Sequence, residues 1–339
     1  MSTASAIWFT SPRQLSFIDV EIGYPGDNQL EIETLFSGIS HGTEMLVYRG
    51  QIPPDMEIDP SLSTMEGSFR FPIKYGYASV GRVVDMGSRV TDFNRGDLVF
   101  AHFPHQTRYL LPQCSATKLP NDIPLQLGVF LATLETAINC TWDASPNLGE
   151  VVVISGQGVV GLLITQLLSR GTANMIIAIE PNKRRRELSL KTGASIALDP
   201  TANNIDEVVK HYTAGRGADV VIEVSGDPAA LDYTIKLAAF QGRIIVASWY
   251  GTKTTALHLG NAFHRNRLEI VSSQVSNINP SLVPRWNRNR RMKLAVQLLT
   301  ELSLLELISD VYPFNQAQLA YDKIDKSNHN VLQVVLQYV

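Results

Sequence analysis

The sequence predicts an α/β protein in which a β-rich domain precedes a doubly wound parallel sheet. Three observations carry that expectation. The chain has 339 residues, more than one ordinary hydrophobic core accommodates. Its character changes near residue 122, where short strand-like runs broken by turn residues give way to strict alternation of strand and helix. From Val151 the strand-like runs are continuous in Val and Ile, which marks strands covered on both faces and therefore a parallel sheet with crossover helices.

The first part reads as a succession of strands: LSFIDVEI, QLEIETLF, YASVGRVVDMG, GDLVFAH and TRYLLP, with Gly, Pro, Asn and Asp between them. Such spacing suits a β-rich barrel. The segment from Arg49 to Pro72 carries prolines and no clean period, so it is expected to be a surface loop or an arm over a cleft. After Val151 come the strand VVVIS, the helix VVGLLITQLLSRG, the strand MIIAIE, the basic helix NKRRRELSLKTG and the strand SIALD. The helix IDEVVKHYTAGRG, the strand DVVIEVSG, the helix PAALDYTIKLAAF, and the strands RIIVASW and LEIVSSQ complete the pattern. Beyond Val275 the rhythm stops, leaving the helix KLAVQLLTELSLL, the helix QAQLAYDKIDKS and a last strand, NVLQVVLQYV. That tail is too small to form a core of its own. The expected division is therefore 1–121 for a first domain, 122–275 for the parallel-sheet domain, and 276–339 as a return segment completing the first.

Composition narrows the function classes. An apolar share of 45% and a charged share of 18% describe a globular protein with ample core material. A net charge of -3 gives no drive towards nucleic acid or anionic lipid, so neither is expected as a partner. Two cysteines, Cys114 and Cys140, supply neither a disulfide framework nor a cysteine zinc site. The start, MSTASAIWF, shows no basic region followed by an apolar run, and no apolar stretch approaches the length of a membrane span. A cytoplasmic enzyme or binding protein with a small-molecule ligand is the expectation.

The stretch VVVISGQGVVGLL places Gly156, Gly158 and Gly161 in the pattern G-x-G-x-x-G, directly after a strand and at the opening of a helix. The first glycine permits a tight turn, the second lets a pyrophosphate approach the backbone, and the third lets helix and strand pack closely. The amides around Val159 and Val160, at the helix start, are then free to meet the anion. Glu180 ends the next strand, nineteen positions after Gly161, where a carboxylate takes the adenosine ribose hydroxyls and repels a 2′-phosphate. NAD is expected on that ground. NADP is the second choice, because Lys183, Arg184, Arg185 and Arg186 follow at once, and Arg185 in particular could hold a phosphate. Ser225 and Ser248 lie just beyond the fourth and fifth strands of this sheet, where ligands of such sheets bind.

The order of parts, with YASVGRVVDMGSRVTDFNRGDLVF and its spacing G-x-V-x-x-x-G-x-x-V from Gly81 to Val90, resembles the medium-chain dehydrogenase/reductase superfamily, the zinc alcohol dehydrogenases and their zinc-free relatives. The resemblance implies a Rossmann dinucleotide domain, a GroES-like substrate domain, catalysis in the cleft between them, and dimers or tetramers. It also puts SGISHGTEM at the loop that supplies the first zinc ligand, a cysteine, in that family. No cysteine stands there: one anchoring puts Ser40 at the ligand position and another puts His41 there. The second ligand position falls in Gly76-Tyr77-Ala78, and Glu135 is the one carboxylate near the third. The four-cysteine structural zinc loop is missing. Catalytic zinc needs about three protein ligands, so no zinc is expected; a site rebuilt from His41, Glu135 and His102 or His105 is the competing reading.

Within the family, SGISHGTE and YRGQIPP are similar to the branch containing bacteriochlorophyllide a dehydrogenase. The implied activity is zinc-independent hydride transfer between a nicotinamide cofactor and an alcohol or ketone, with a bulky or aromatic substrate admitted. Quinone or enoyl C=C reduction and non-catalytic dinucleotide binding are the alternatives. Without metal, a donor must stabilise the developing alkoxide. Tyr77 stands at a ligand position and is the candidate donor, with a cavity-filling aromatic as its plain alternative. Thr43 and Ser40 offer relay hydroxyls, and His41 could end the relay at solvent. Trp249 and Tyr250 could wall a substrate pocket. The cluster Arg285, Arg288, Arg290 and Arg291 is read as a solvated face.

Overall fold

The structure, a computed structural model, describes residues 2–59, 64–65, 67–171, 173–326 and 331–338. The chain divides into two compact units: Met1–Ala132 together with Met292–Val339, and Thr133–Arg291.

The first unit contains β1 (Ser2–Ser11), β2 (Gln14–Ile22), β3 (Gln29–Ile39), the short helix α1 (Thr43–Tyr48), β4 (Ile73–Lys74), β5 (Ser79–Met86), β6 (Leu98–Ala101), β7 (Arg108–Pro112) and β8 (Thr117–Lys118). β1 lies between β2 and β4 in a small antiparallel sheet. β3 is the spine of a larger one. One of its edges pairs with β5, and the other pairs with β7 over Gln29–Glu33 and with the C-terminal strand over Phe36–Ile39. Alternation along these strands explains their pairing, since Leu30, Ile32, Val83, Val99, Tyr109 and Leu111 meet in one buried cluster.

The second unit runs from helix α2 (Leu131–Ala144) through β9 (Val151–Ser155), α3 (Val159–Ser169), β10 (Met175–Ile179), α4 (Lys183–Lys191), β11 (Ile196–Leu198), α5 (Ile205–Tyr212), β12 (Ala218–Glu223), α6 (Pro228–Leu237), β13 (Ala238–Val246) and β14 (Glu269–Ser272). All pairings in this sheet are parallel, and the strand order is β11-β10-β9-β12-β13-β14. Counted from β9, that is the doubly wound order 3-2-1-4-5-6, whose ligand crevice opens where the order reverses, at the carboxyl ends of β9 and β12. Every residue of β9 is buried, as the unbroken apolar run requires.

Helix α7 (Arg288–Leu298) leads back to the first unit, which β15 (Ile308–Pro313), α8 (Ala317–Lys326) and β16 (Gln333–Gln337) complete; β16 is the strand that pairs with β3.

Two expectations are refined. The described residues of Arg49 to Pro72 form no helix or strand and are largely exposed or half-buried, as expected of a surface loop, but Ile52, Ile58, Met65 and Phe69 anchor it in the same buried cluster as Ile39, Tyr48 and Tyr321. The Arg285–Arg291 cluster is not wholly a solvated face. Arg291 is buried, with Nε 3.2 Å from the Glu135 carboxylate and Nη1 donating to Asn139 Oδ1 and the Val275 carbonyl. Arg290 stacks 3.9 Å over the Trp286 ring. Within SGISHGTEM, Thr43 opens α1.

Candidate active site

In the second unit the glycine-rich turn is built as its sequence demands. Gly156 has φ of +100°, and a Cβ there would lie 2.6 Å from the Ser225 Cα, so the turns after β9 and β12 touch. A Cβ on Gly161 would fall 2.1 Å from the Gly156 carbonyl oxygen. Around Gly158, by contrast, nothing lies within 4 Å of where a Cβ would stand. Gly158 caps α3 with no side-chain bond, and Val159 and Val160 in the first turn are only partly buried. An open helix start with unpaired amides suits a pyrophosphate.

Glu180, at the end of β10, is buried and braces this turn. One carboxylate oxygen accepts the Gln157 amide at 2.8 Å and the other accepts the Asn182 amide at 2.9 Å. A carboxylate has about four acceptor sites, so two bonds leave capacity for ribose hydroxyls. Arg185 lies beside it, with Nη1 3.9 Å from the carboxylate. Arg186 is occupied elsewhere, by the Glu180 and Pro181 carbonyls and by Asp199 at 3.0 Å.

Ser225 and Ser248 act as struts. The Ser225 amide and hydroxyl both donate to Glu223, at 2.8 and 2.5 Å, and the Ser248 hydroxyl accepts the Gly226 amide at 2.9 Å. The Tyr250 hydroxyl donates to Glu223 as well. Burial, then the charge of Glu223, holds that phenol well above its ordinary range. Tyr250 is thus anchored by a carboxylate, and Trp249 is partly exposed. Glu223 was missed in the sequence, although a carboxylate closing the apolar run VVI was the available signal.

In the first unit the structure brings Tyr77, Ser40 and Thr43 together. Burial, and next the charge of Glu44, raise the Tyr77 phenol well above its ordinary range, while hydrogen bonding with Ser40 and Thr43 opposes the shift. All three are partly buried, as is His41. Beneath them lies a fully buried network that sequence reasoning did not find. Glu44 Oε1 accepts from His105 Nε2 at 2.8 Å and from the Tyr321 hydroxyl, and Glu44 Oε2 accepts the Ser40 amide at 3.1 Å. His105 Nδ1 meets the Ser37 hydroxyl at 2.7 Å, which also meets the Tyr338 hydroxyl at 2.9 Å.

This arrangement bears on the zinc ligand set. Both ring nitrogens of His105 are engaged, and its side chain is fully buried, so it is neither a ligand in waiting nor pocket lining. Glu135 is held by Arg291. His102 stacks edge-on against Phe100. Hydroxyls such as those of Ser40 and Tyr77 are outside the usual thiolate, imidazole and carboxylate set for zinc. Among the described residues no three His, Cys, Asp or Glu side chains converge as a metal site. Among the described residues, Ser40, Tyr77, the doubly engaged His105 and the Arg291-held Glu135 do not supply a three-ligand zinc set.

A parallel sheet of order 3-2-1-4-5-6 with a glycine cradle and a bracing carboxylate, beside a separate β-rich unit, defines a dinucleotide-binding protein. Comparison with known proteins agrees. Residues 159–289 match the family described as zinc-binding dehydrogenase. The chain is 28% identical over 327 residues to D-guloside 3-dehydrogenase of Escherichia coli (strain K12), covering 92% of this chain and 93% of that protein. It is 26% identical over 268 residues to an L-threonine 3-dehydrogenase of Pyrococcus horikoshii, covering 70% of this chain and 73% of that protein. Among solved structures, 2R,3R-butanediol dehydrogenase from Bacillus subtilis superposes with a TM-score of 0.81 at 17% identity, over 98% of this chain and 99% of that one. The chain resembles the alcohol dehydrogenase-type enzymes of the medium-chain dehydrogenase/reductase superfamily.

Proposed function

We propose that the protein is a zinc-independent, NAD-preferring oxidoreductase interconverting an alcohol and a ketone, with Tyr77 as the donor to the substrate oxygen. The observation that carries this reading is the nearness of Ser40 and Thr43 to Tyr77 and of Ser40 to the buried Glu44 carboxylate, with Ser40 and Tyr77 at positions where the resemblance implies zinc ligands. A bound nicotinamide dinucleotide supplies the hydride donor or acceptor. Gly158 and the start of α3 hold its pyrophosphate, Glu180 takes the ribose hydroxyls, and Ser225 and Ser248 shape the adjoining loops. Tyr77, kept protonated by its raised pKa, hydrogen-bonds the substrate oxygen as negative charge develops there. Ser40 and Thr43 orient its hydroxyl and link it to His41, which draws from water the proton that ketone reduction consumes and returns to water the proton that alcohol oxidation releases.

The relatives' names point the substrate towards a secondary hydroxyl, of a glycoside or of a hydroxy amino acid. The likeness of SGISHGTE to bacteriochlorophyllide a dehydrogenase adds bulkier hydroxyethyl compounds to the candidates. A cytoplasmic dimer or tetramer, in keeping with the family, belongs to the same reading.

The deciding experiment combines metal analysis of the purified protein with NAD+ and NADP+ reduction over a panel of glycosides, L-threonine, diols and aryl alcohols. Activity without metal, retained after chelation, supports the reading. Stoichiometric zinc whose removal abolishes turnover would sink it, and inactivity across the panel despite tight NADH binding would point to a non-catalytic dinucleotide-binding protein.

A further inference from the structure

The buried pair Glu44–His105 does no chemistry in the reading above, yet it ties together every segment that carries a proposed catalytic group. With Glu44 ionised and His105 neutral and protonated on Nε2, each hydrogen in the network finds an acceptor. The Tyr338 hydroxyl donates to Ser37, Ser37 donates to His105 Nδ1, and His105 Nε2 donates to Glu44 Oε1. Tyr321 donates to the same oxygen, and the Ser40 amide donates to the other. Tyr321 and Tyr338 are both held protonated by burial, which fixes them as donors.

The imidazole also determines where Tyr77 stands. A Cβ on Gly76 would lie 2.6 Å from His105 Cδ2 and 2.7 Å from Nε2, so the ring rests directly on the backbone one residue before Tyr77. Gly76 sits at φ of +118°, where other residues are strained. The His105 amide donates to the Tyr75 carbonyl at 3.3 Å, two residues before Tyr77. Thus one ring touches β3 through Ser37, α1 through Glu44, and the Tyr75–Tyr77 segment through Gly76, with no solvent access to any contact.

We propose that His105 is a positioning residue, which with Glu44 holds Ser40 and Tyr77 in register in place of a metal ion. The inference rests on the proposed role of Tyr77 for its functional meaning and on the contacts alone for its geometry. A displacement of about 1 Å at a reacting group can cost roughly a hundredfold in rate, so the clamp matters if Tyr77 is the donor.

The test uses the full-length protein labelled with [13Cζ]tyrosine, the Tyr77 resonance being assigned by its loss in Tyr77→Phe. In His105→Gln and Glu44→Gln a shifted or broadened Tyr77 line is expected, while the line of Tyr109, buried and bonded to Ser79 outside this network, stays put as a check on folding. An unchanged Tyr77 line in both variants overturns the inference. Should neither variant fold, Ser37→Ala, which removes only the bond to Nδ1, is read the same way. Turnover of the best panel substrate separates the two readings. If Tyr77→Phe is inactive, His105→Gln should lower kcat about tenfold with KM little changed. If His105→Gln then keeps full kcat, the positioning role falls and the donor role stands. If Tyr77→Phe is fully active, the donor role falls, and the catalytic part of this inference with it.

Discussion

The resemblance puts Tyr77 where a histidine ligand would hold a cation, and its surroundings bring a buried anion, Glu44, instead. Burial and the Glu44 charge both favour the neutral phenol. A group so placed serves as a hydrogen-bond donor and not as a base near neutrality. Replacing it by phenylalanine should therefore lower kcat about 10² to 10³-fold, as loss of one oxyanion donor does, with the dissociation constant for NADH unchanged by fluorescence titration. The sign of the pH dependence follows from the same shift. The phenol stays protonated up to and beyond its ordinary value of 10.0, so the rate of ketone reduction should show no fall attributable to Tyr77 below that value. A stopped-flow profile with an apparent pKa near 7 that vanishes in Tyr77→Phe would contradict the assignment. Glu180 poses a separate residue-scale question, because Arg185 stands 3.9 Å from its carboxylate. Glu180→Ala removes the repulsion of a ribose 2′-phosphate and leaves that guanidinium, so the ratio of NADPH to NADH affinity should rise roughly tenfold, measured by competitive titration.

At the scale of elements, the parallel sheet was legible because its information is local. VVVIS, MIIAIE and DVVIEVSG are continuous apolar runs at regular intervals, and they form β9, β10 and β12. The glycine turn was legible for the same reason, and it yields a sharp expectation. Gly156→Ala puts a methyl 2.6 Å from the Ser225 Cα at a φ of +100°. Strain of about 1 to 3 kcal/mol should lower the melting temperature and weaken NADH roughly tenfold, while Gly158→Ala, with open space around it, should leave stability nearly intact and affect binding alone. β1 escaped the reading because Ser, Thr and Ala dilute its alternation, although Ala4, Ala6, Ile7 and Phe9 are buried. The Glu44–His105 network escaped for a deeper reason. Its members are 61 and 277 positions apart for the two bonds to Glu44 Oε1, and no periodicity records such a pairing. Tyr77, Ser40 and Thr43 could be picked out only because a family pattern marked their positions.

At the scale of the whole molecule, the first unit is assembled from both ends of the chain, and this concentrates buried tyrosines in it. Tyr48, Tyr75, Tyr77 and Tyr109 come from the N-terminal part, Tyr321 and Tyr338 from the return segment. Burial is the first cause of a raised pKa at each, reinforced by Glu44 at Tyr77 and Tyr321 and opposed by the Ser79 hydrogen bond at Tyr109. In the unfolded chain each phenol ionises near its ordinary value of 10.0. Between that value and the higher folded pKa, the folded state binds more protons than the unfolded state, so stability falls as pH rises. Below it the contribution is fully present. Lys74, whose pKa burial lowers, works in the opposite sense just under its ordinary 10.5, but it is one group against six. Urea midpoints for the first unit should therefore hold level up to about pH 9 and drop between about pH 10 and 11. The Tyr321→Phe variant should show a shallower drop, since it removes one of the six ionisations. A drop of undiminished slope in that variant would mean that Tyr321 is not held neutral by the fold, and Glu44 would then lose one of the donors that keep it buried.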